Sequence, residues 1–282
     1  MRRREFLKIL ALSILAGSKT SEAFAQMALG IVPSTYPQND DEHIKDYLYK
    51  MKHFNRPHKG DILIARGEYR IFKSTVMRLR RLERFVGHGN FQLLGFEDAL
   101  RIAKRYTEVG EFSKAEVSFM EKLFYTDARV YGFLGKKIFE KITDQIKRVE
   151  VVRDPSTGNH LKKGIPFETF RRIKQQVGNQ VVLTSGVRSV MKQFLLFLNK
   201  AYKNNGNLSL ASRSLAPPGY SFHGIGDFDV GQAGFGVANF TERFTTTEVY
   251  RRLSALGYLK LRYPQGNLLG VRFEPWHVKI TV

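Results

Sequence analysis

Two short stretches, far apart in the chain, constrain this sequence more than anything else in it. The first reads Tyr220-Ser221-Phe222-His223-Gly224-Ile225-Gly226-Asp227-Phe228-Asp229-Val230-Gly231, and the second is Glu274-Pro275-Trp276-His277. Together they hold His223 and His277, the carboxylates of Asp227, Asp229 and Glu274, and the single tryptophan. In an extended strand His223 and Asp229 would stand roughly 20 Å apart, so the backbone must fold back between them if both are to serve one site. Gly224 and Gly226 permit that bend, because glycine takes positive φ at little steric cost. Glu274 and His277 would point to opposite faces of a flat strand. Pro275 predicts a bulge or turn that brings both side chains to one side.

The chain has no cysteine, so a transition metal must be held by nitrogen and oxygen. His223, Asp229 and His277 offer two imidazoles and one carboxylate. Three protein ligands leave one tetrahedral position open, which is the pattern of catalytic rather than structural zinc. A free carboxylate beside such an ion is suited to take a proton from water, and Glu274 is the candidate. Asp227 is the alternative to Asp229 as ligand. In the favoured reading Asp227 stands behind an imidazole and orients it.

A third block, Thr184-Ser185-Gly186-Val187-Arg188-Ser189, precedes these two, with Gln193 five residues after the arginine. This block, Ser221-x-His223-x-x-Gly226 with its following aspartate, and Glu274-x-Trp276-His277 come in the order that resembles the zinc D-alanyl-D-alanine carboxypeptidases of the VanY type. These belong to the wider lysostaphin and D-Ala-D-Ala metallopeptidase group. The resemblance runs from near Val149 to the end. The family usually places six residues between its first histidine and its aspartate, whereas five lie between His223 and Asp229. That leaves Asp227 and Asp229 both open, with Asp229-Val230 continuing as the family's strand does.

The resemblance implies zinc as cofactor, His223, Asp229 and His277 as its ligands, Glu274 as general base and Arg188 as a positive charge for the developing oxyanion. It places Ser189, Gln193, Ser221 and Trp276 around the substrate. That substrate would be a peptidoglycan stem peptide ending in D-Ala-D-Ala, and the reaction release of the terminal D-Ala. The alternatives are an endopeptidase or L,D-carboxypeptidase of the same group, or a non-catalytic cationic wall-binding protein.

Arg3-Arg4-Glu5-Phe6-Leu7-Lys8 matches the twin-arginine export signal. The apolar run after it, Ile9 to Gly17, is about nine residues, too short for a bilayer that takes roughly 20. Ala23-Phe24-Ala25 supplies a small-residue cleavage pattern. Residues 1–25 therefore read as a signal peptide, with a mature chain from near Gln26 that has no transmembrane segment and reaches the periplasm folded. The formal net charge is +20. Residues 1–25 hold Arg2, Arg3, Arg4, Lys8 and Lys19 against Glu5 and Glu22, so the remainder stays strongly basic. Such a field favours an anionic partner. With an export signal, anionic cell-envelope polymers are expected rather than nucleic acid.

The fold class expected is α+β, a small antiparallel sheet with flanking helices carrying a zinc site, preceded by a mainly helical N-terminal region. Residues 26–146 form that helical region and 147–282 the catalytic domain. Without disulfides the fold relies on its core, and 282 residues at 43% hydrophobic suffice for one. Ile44, Tyr47, Leu48 and Met51 share a helical face. A second helix is expected from Phe72 to Val86, and a capping box, Ser113-x-x-Glu116, opens a third that ends near Gly132. Thr245-Thr246-Thr247-Glu248 reads as another box, opening a helix that ends at Gly257. Helices over Pro166–Val177 and Ser189–Tyr202 flank a strand over Gln180–Leu183. Strands Tyr258–Tyr263 and Gly270–Phe273 are expected to close the sheet. His43, His53, His58, His88 and His160 lack metal-ligand spacing and read as surface or structural histidines.

Overall fold

The computed structural model describes residues 40–280; the export signal and the expected start at Gln26 lie outside the described residues. Among the described residues the first helix, α1 (Asp40–Lys52), carries Tyr47, whose hydroxyl donates to the Asn267 carbonyl at 2.7 Å and accepts from the Gly270 amide at 3.0 Å. Leu48, expected beside it on an apolar face, is exposed instead.

The long helix α2 (Tyr69–Val86) buries Phe72, Val76, Leu79 and Leu82. Their three- and four-residue spacing draws one stripe along the helix, and each buried side chain contributes about 1.5–3 kcal/mol. After α3 (Phe96–Arg105) comes α4 (Lys114–Tyr125), opened by the expected capping box: Ser113 Oγ accepts from the Glu116 amide and Glu116 Oε2 from the Ser113 amide. This helix stops before the expected Gly132. Asp127 caps a separate 3-10 turn, Ala128–Tyr131, and Gly132 closes that turn in the left-handed region.

Next come a hairpin of β1 (Val151–Arg153) and β2 (His160–Lys162), helix α5 (Ile165–Val177), strand β3 (Val181–Ser185), helix α6 (Val190–Tyr202) and the short α7 (Leu208–Ser212). Strand β4 (Phe228–Gln232), helix α8 (Glu248–Ala255) and strand β5 (His277–Val278) follow. Helix α8 is capped by Thr247, whose hydroxyl accepts from the Tyr250 amide, while Thr245 belongs to the preceding 3-10 turn and bonds back to Glu242.

The sheet has the order β3-β4-β5, all antiparallel. Its register places Leu183 opposite Val230, Ser185 opposite Asp229 after a bulge, and Asp229 opposite His277. The expected strands over Tyr258–Tyr263 and Gly270–Phe273 are not strands; one isolated bridge, Leu261 to Val278, is all that remains of them. Their amides are spent elsewhere, with Gly270 donating to the Tyr47 hydroxyl at 3.0 Å and Arg272 to the Arg213 carbonyl at 2.9 Å. Pro264 has no amide to offer a ladder.

The boundary expected near residue 146 is not a break in packing. One hydrophobic cluster includes Phe72, Leu79 and Phe124 from the helical region, Ile146 and Val151 from either side of the boundary, and Phe194 and Phe197 of α6. A second cluster lies between the sheet and α5 and α8, centred on Phe170, Ile173, Leu183, Phe228, Val230 and Leu253. Helical periodicity ends near residue 146, but the core does not. Among the described residues, no helix is long and apolar enough to cross a membrane.

Candidate metal centre

Cross-strand pairing brings the first two polar groups together. Asp229 on β4 faces His277 on β5, and residues directly opposite in an antiparallel pair have Cβ atoms about 4.5–5.5 Å apart. His223 arrives from the 3-10 turn Phe222–Gly224, after which the chain reverses into β4. The reversal needs Gly226, which stands at φ +122°, where a Cβ would also meet the Pro166 ring at 2.8 Å. Gly224 serves by its small size, since a Cβ there would strike Phe139. One ligand-capable atom from each of His223, Asp229 and His277 falls within 4.8 Å of the others, and all three residues are buried.

The hydrogen bonds behind the two imidazoles fix which nitrogen faces inward. His223 Nδ1 lies 2.7 Å from the Gly186 carbonyl oxygen. A carbonyl only accepts, so Nδ1 carries the hydrogen and Nε2 presents its lone pair to the cluster. His277 Nε2 lies 3.0 Å from Asp227 Oδ2, so that nitrogen donates and Nδ1 faces inward. His223 Nε2 is 3.3 Å from Asp229 Oδ1, and His277 Nδ1 is 3.4 Å from the same oxygen. His223 Nε2 and Asp229 Oδ1 are both buried without a hydrogen-bond partner. Two orphaned acceptors facing each other in the interior are costly, and a cation between them removes that cost. The nitrogen and oxygen donors suit zinc.

The two aspartates are thereby distinguished. Asp229 faces the cluster, while Asp227 lies behind His277, accepting also from Arg262 Nε at 2.8 Å, Arg262 Nη2 at 3.1 Å and the Ile280 amide at 2.9 Å. Burial alone would raise the Asp227 carboxyl, but the bonds from His277 and Arg262 outweigh it and hold the pKa at about 2. Asp229 is likewise held well below the usual carboxylate range, burial being outweighed by the positive charges around it, Arg188 among them. Burial, with Arg188 nearby, pushes His223 down. For His277 burial is outweighed by bonds to Asp227 and Glu274, and its pKa rises to about 9.

Glu274 reaches the same place from the turn Glu274–His277, closed by a bond from the His277 amide to the Glu274 carbonyl at 3.2 Å. This is the turn expected at Pro275, and it puts Glu274 Oε2 3.4 Å from His277 Nδ1. Arg188, at the end of the segment after β3, donates from Nη2 to Asp229 Oδ2 at 2.6 Å and from Nε to Ser185 Oγ at 3.0 Å. A cavity of about 350 Å³ opens against Asp229, Glu274, Arg188 and Trp276. Trp276 is both wall and core: it lines this cavity, is nearly buried, and packs edge-on against Phe240.

Three residues expected around the substrate stand elsewhere. Ser189 is buried, caps α6 by accepting from the Lys192 amide and donates to the Phe91 carbonyl. Gln193 is buried and braces two loops, donating to the Arg188 carbonyl at 2.9 Å and accepting from the Gly219 amide at 2.8 Å. Ser221 is buried before the His223 turn and does not line the cavity. Each belongs to the frame that holds Arg188 or His223, so proximity in sequence to a site residue did not mean contact with the cleft.

Other residues of the site left little trace in the sequence. Arg262 fixes Asp227, and Tyr263 packs edge-on against His277 at 5.2 Å between ring centres. Gly186 was visible only as part of its block. His88, Gln92 and Asn159 line the cavity from outside the three motifs. Gln92 joins them by bonding Asn159 and the His160 amide. His88 is thus a cleft residue, whereas His160 is a buried structural one, with its carbonyl accepting from the Val187 amide. His53 and His58 bond or stack locally near α1, and the side chain of His43 lies outside the described residues.

Residues 162–281 match the family model of VanY, D-alanyl-D-alanine carboxypeptidase. No curated protein matches the chain. Among solved structures it is similar to VanYB in complex with D-alanine-D-alanine, at 24% identity over 51% of this chain and 82% of that one, with a TM-score of 0.39. It is similar to a mutant of the vancomycin-resistance D,D-pentapeptidase VanY from the VanB-type cassette, in complex with Zn(II), at 26% identity over 45% of this chain and 76% of that one, TM-score 0.36. The LD-carboxypeptidase LdcB is similar at 20% identity, covering 52% of this chain and 65% of that one, under two thirds of its length, with a TM-score of 0.37. Residues 162–281 are a VanY-type, D-Ala-D-Ala carboxypeptidase-like metallopeptidase domain.

Proposed function

We propose that this protein is a zinc-dependent D,D-carboxypeptidase that removes the terminal D-Ala from peptidoglycan stem peptides, working in the periplasm after twin-arginine export. The observation that carries the reading is the buried cluster in which His223 Nε2, His277 Nδ1 and Asp229 Oδ1 face one another, two of the three without any other partner. His223, Asp229 and His277 would hold the ion. Zinc, when bound there, supplies a Lewis acid that polarises a peptide carbonyl and lowers the pKa of a water ligand to about 7.

The remaining work falls to the chain's own groups. Glu274 Oε2, on the cavity side of the cluster, takes the proton of the attacking water and later delivers it to the departing amine nitrogen, as one carboxylate can in both half-steps. Arg188 is held at the cavity wall by Asp229 and Ser185. Its guanidinium sets a fixed positive charge beside the carbonyl oxygen, where charge builds up. Asp227 and the Gly186 carbonyl keep both imidazoles in the tautomers that the cluster needs. Trp276 and Phe240 give the cavity an apolar wall.

The test is metal analysis of the purified chain beside its Glu274→Ala variant, each incubated with a pentapeptide ending in D-Ala-D-Ala. The expected result is about one zinc per chain in both, with a single D-Ala released by the unmodified chain alone. Zinc without D-Ala release, but with cleavage of cross-linked peptides or of tetrapeptides, moves the specificity to an endopeptidase or an L,D-carboxypeptidase. A chain that takes up no zinc even on reconstitution overturns the catalytic reading in favour of wall binding.

A further inference from the structure

A second, larger concavity of about 880 Å³ runs between α2 and α6 and shares His88, Leu196, Lys200 and Leu215 with the candidate active-site cavity. Arg80 and Arg84 line it from α2, and Lys200 and Lys203 from the end of α6. Among the described residues, none of these four is ion-paired with a carboxylate. The one acidic group in the wall, Glu83, is already engaged, its Oε1 accepting from Lys192 Nζ at 2.6 Å. Arg80 is held ready by a bond from Nε to Asn199 Oδ1 at 2.7 Å and by lying over the Tyr202 ring. Burial, with Arg272 and Lys203 nearby, pushes the Lys200 ammonium down. The groove thus carries uncompensated positive charge, and α2 lies wholly outside the matched segment 162–281.

We propose that this groove is an extended subsite for the acidic part of the peptide substrate, binding carboxylates on the side of the cleaved bond away from the released residue. The inference rests on the peptidase reading for its choice of ligand. Continuity with the active-site cavity lets one peptide occupy both, its end at the cluster and its upstream residues between α2 and α6. Arginine and lysine side chains at a groove wall favour carboxylates through charge-assisted hydrogen bonds, and a one-signed cleft raises the local concentration of anionic substrate.

Arg84 and Lys203 are exposed, so the double variant Arg84→Glu/Lys203→Glu leaves the core untouched. Arg101→Glu/Arg251→Glu changes net charge equally at two exposed sites away from the groove and serves as the control. Binding is read by fluorescence anisotropy in the Glu274→Ala background. The probes are a labelled peptide with glutamates upstream of D-Ala-D-Ala and its glutamine counterpart. The groove variant should weaken the glutamate peptide roughly tenfold, while the control and the glutamine peptide change by less than about twofold. Equal weakening by the control, or equal affinity for the two peptides in the unmodified groove, overturns the proposal. So does a groove that binds inorganic polyphosphate but not the glutamate peptide, which would give it to an anionic polymer. Failure of D-Ala release by the unmodified chain would count against the peptidase reading alone, because the anisotropy does not depend on turnover.

Discussion

Asp227→Asn tests the arrangement behind the cluster most sharply. The carboxylate accepts four hydrogen bonds, from His277 Nε2, from Nε and Nη2 of Arg262 and from the Ile280 amide, all between 2.8 and 3.1 Å. Asparagine keeps the shape but has one accepting oxygen and a donating NH2. With the oxygen in the Oδ1 place, toward Arg262 Nη2 and the Ile280 amide, the NH2 takes the Oδ2 place against Arg262 Nε and His277 Nε2, and the imidazole nitrogen must then accept. The ring hydrogen moves to Nδ1, and the lone pair leaves the cluster. Losing such an orienting partner costs about 10- to 100-fold in metal affinity, or about 1.4–2.8 kcal/mol. Arg262, largely buried over the Phe222 ring, also loses its counter-charge; removing one partner of a buried pair costs about 3–5 kcal/mol, and partial exposure brings this nearer to about 2. The assays are zinc titration against a competing chelator and urea unfolding of the metal-free protein. Arg262→Gln separates the two effects, since it loses stability while His277 keeps its acceptor and zinc affinity falls by less than about threefold. Metal affinity in Asp227→Asn within about twofold of the unmodified chain would refute the argument that this carboxylate sets the tautomer.

Glu274→Gln should lower kcat by about 10²- to 10⁴-fold with zinc content unchanged, checked by turnover beside metal analysis. In Gly186→Ala the new Cβ would sit 1.9 Å from the His160 carbonyl oxygen, so the loop that presents its own carbonyl to His223 must move; a loss of about 1–3 kcal/mol together with weaker zinc binding is expected from urea unfolding and chelator competition. Asp61 accepts both arms of Arg213, at 2.7 and 2.9 Å, and a bond from Asn207. Although burial would raise its carboxyl, these bonds lower its pKa from 3.8 to about 2. A depressed carboxylate stabilises the fold above its unfolded value, so its contribution of about 1–2 kcal/mol is complete above pH 3.8 and disappears as pH falls through about 2. The urea midpoints of the unmodified chain and Asp61→Asn should converge over that window, and a gap independent of pH would contradict the assignment.

What the sequence made legible depended on the range of the interactions involved. The Ser113–Glu116 box, α5 and α6 came through because their signals lie within a few residues of one another. The turn at Pro275 and the reversal at Gly226 were legible because proline and glycine mark backbone conformations directly. Strands over Tyr258–Tyr263 and Gly270–Phe273 were misread because β-forming side chains say nothing about where an amide finds its acceptor; Arg272 finds one at Arg213. At the site, motif membership did not separate Arg188, which reaches the cavity, from Ser189 and Gln193, which face inward. Arg262 and Gln92 act through partners 35 and 67 residues away, and no local pattern records a pairing at such distance.

The core shared by α2 and α6 has a consequence in time. Helix α2 ends at Val86 and α6 begins at Val190, so roughly a hundred residues are made between them. At roughly 5–20 residues per second, the apolar stripe of α2 waits on the order of 5–20 s for that partner, with only the nearer helices to cover it. A nascent chain in that interval exposes phenylalanine and leucine side chains that invite association. The groove between the two helices and the segment that carries the metal cluster therefore mature together and late, and a chain cut short before α6 has neither.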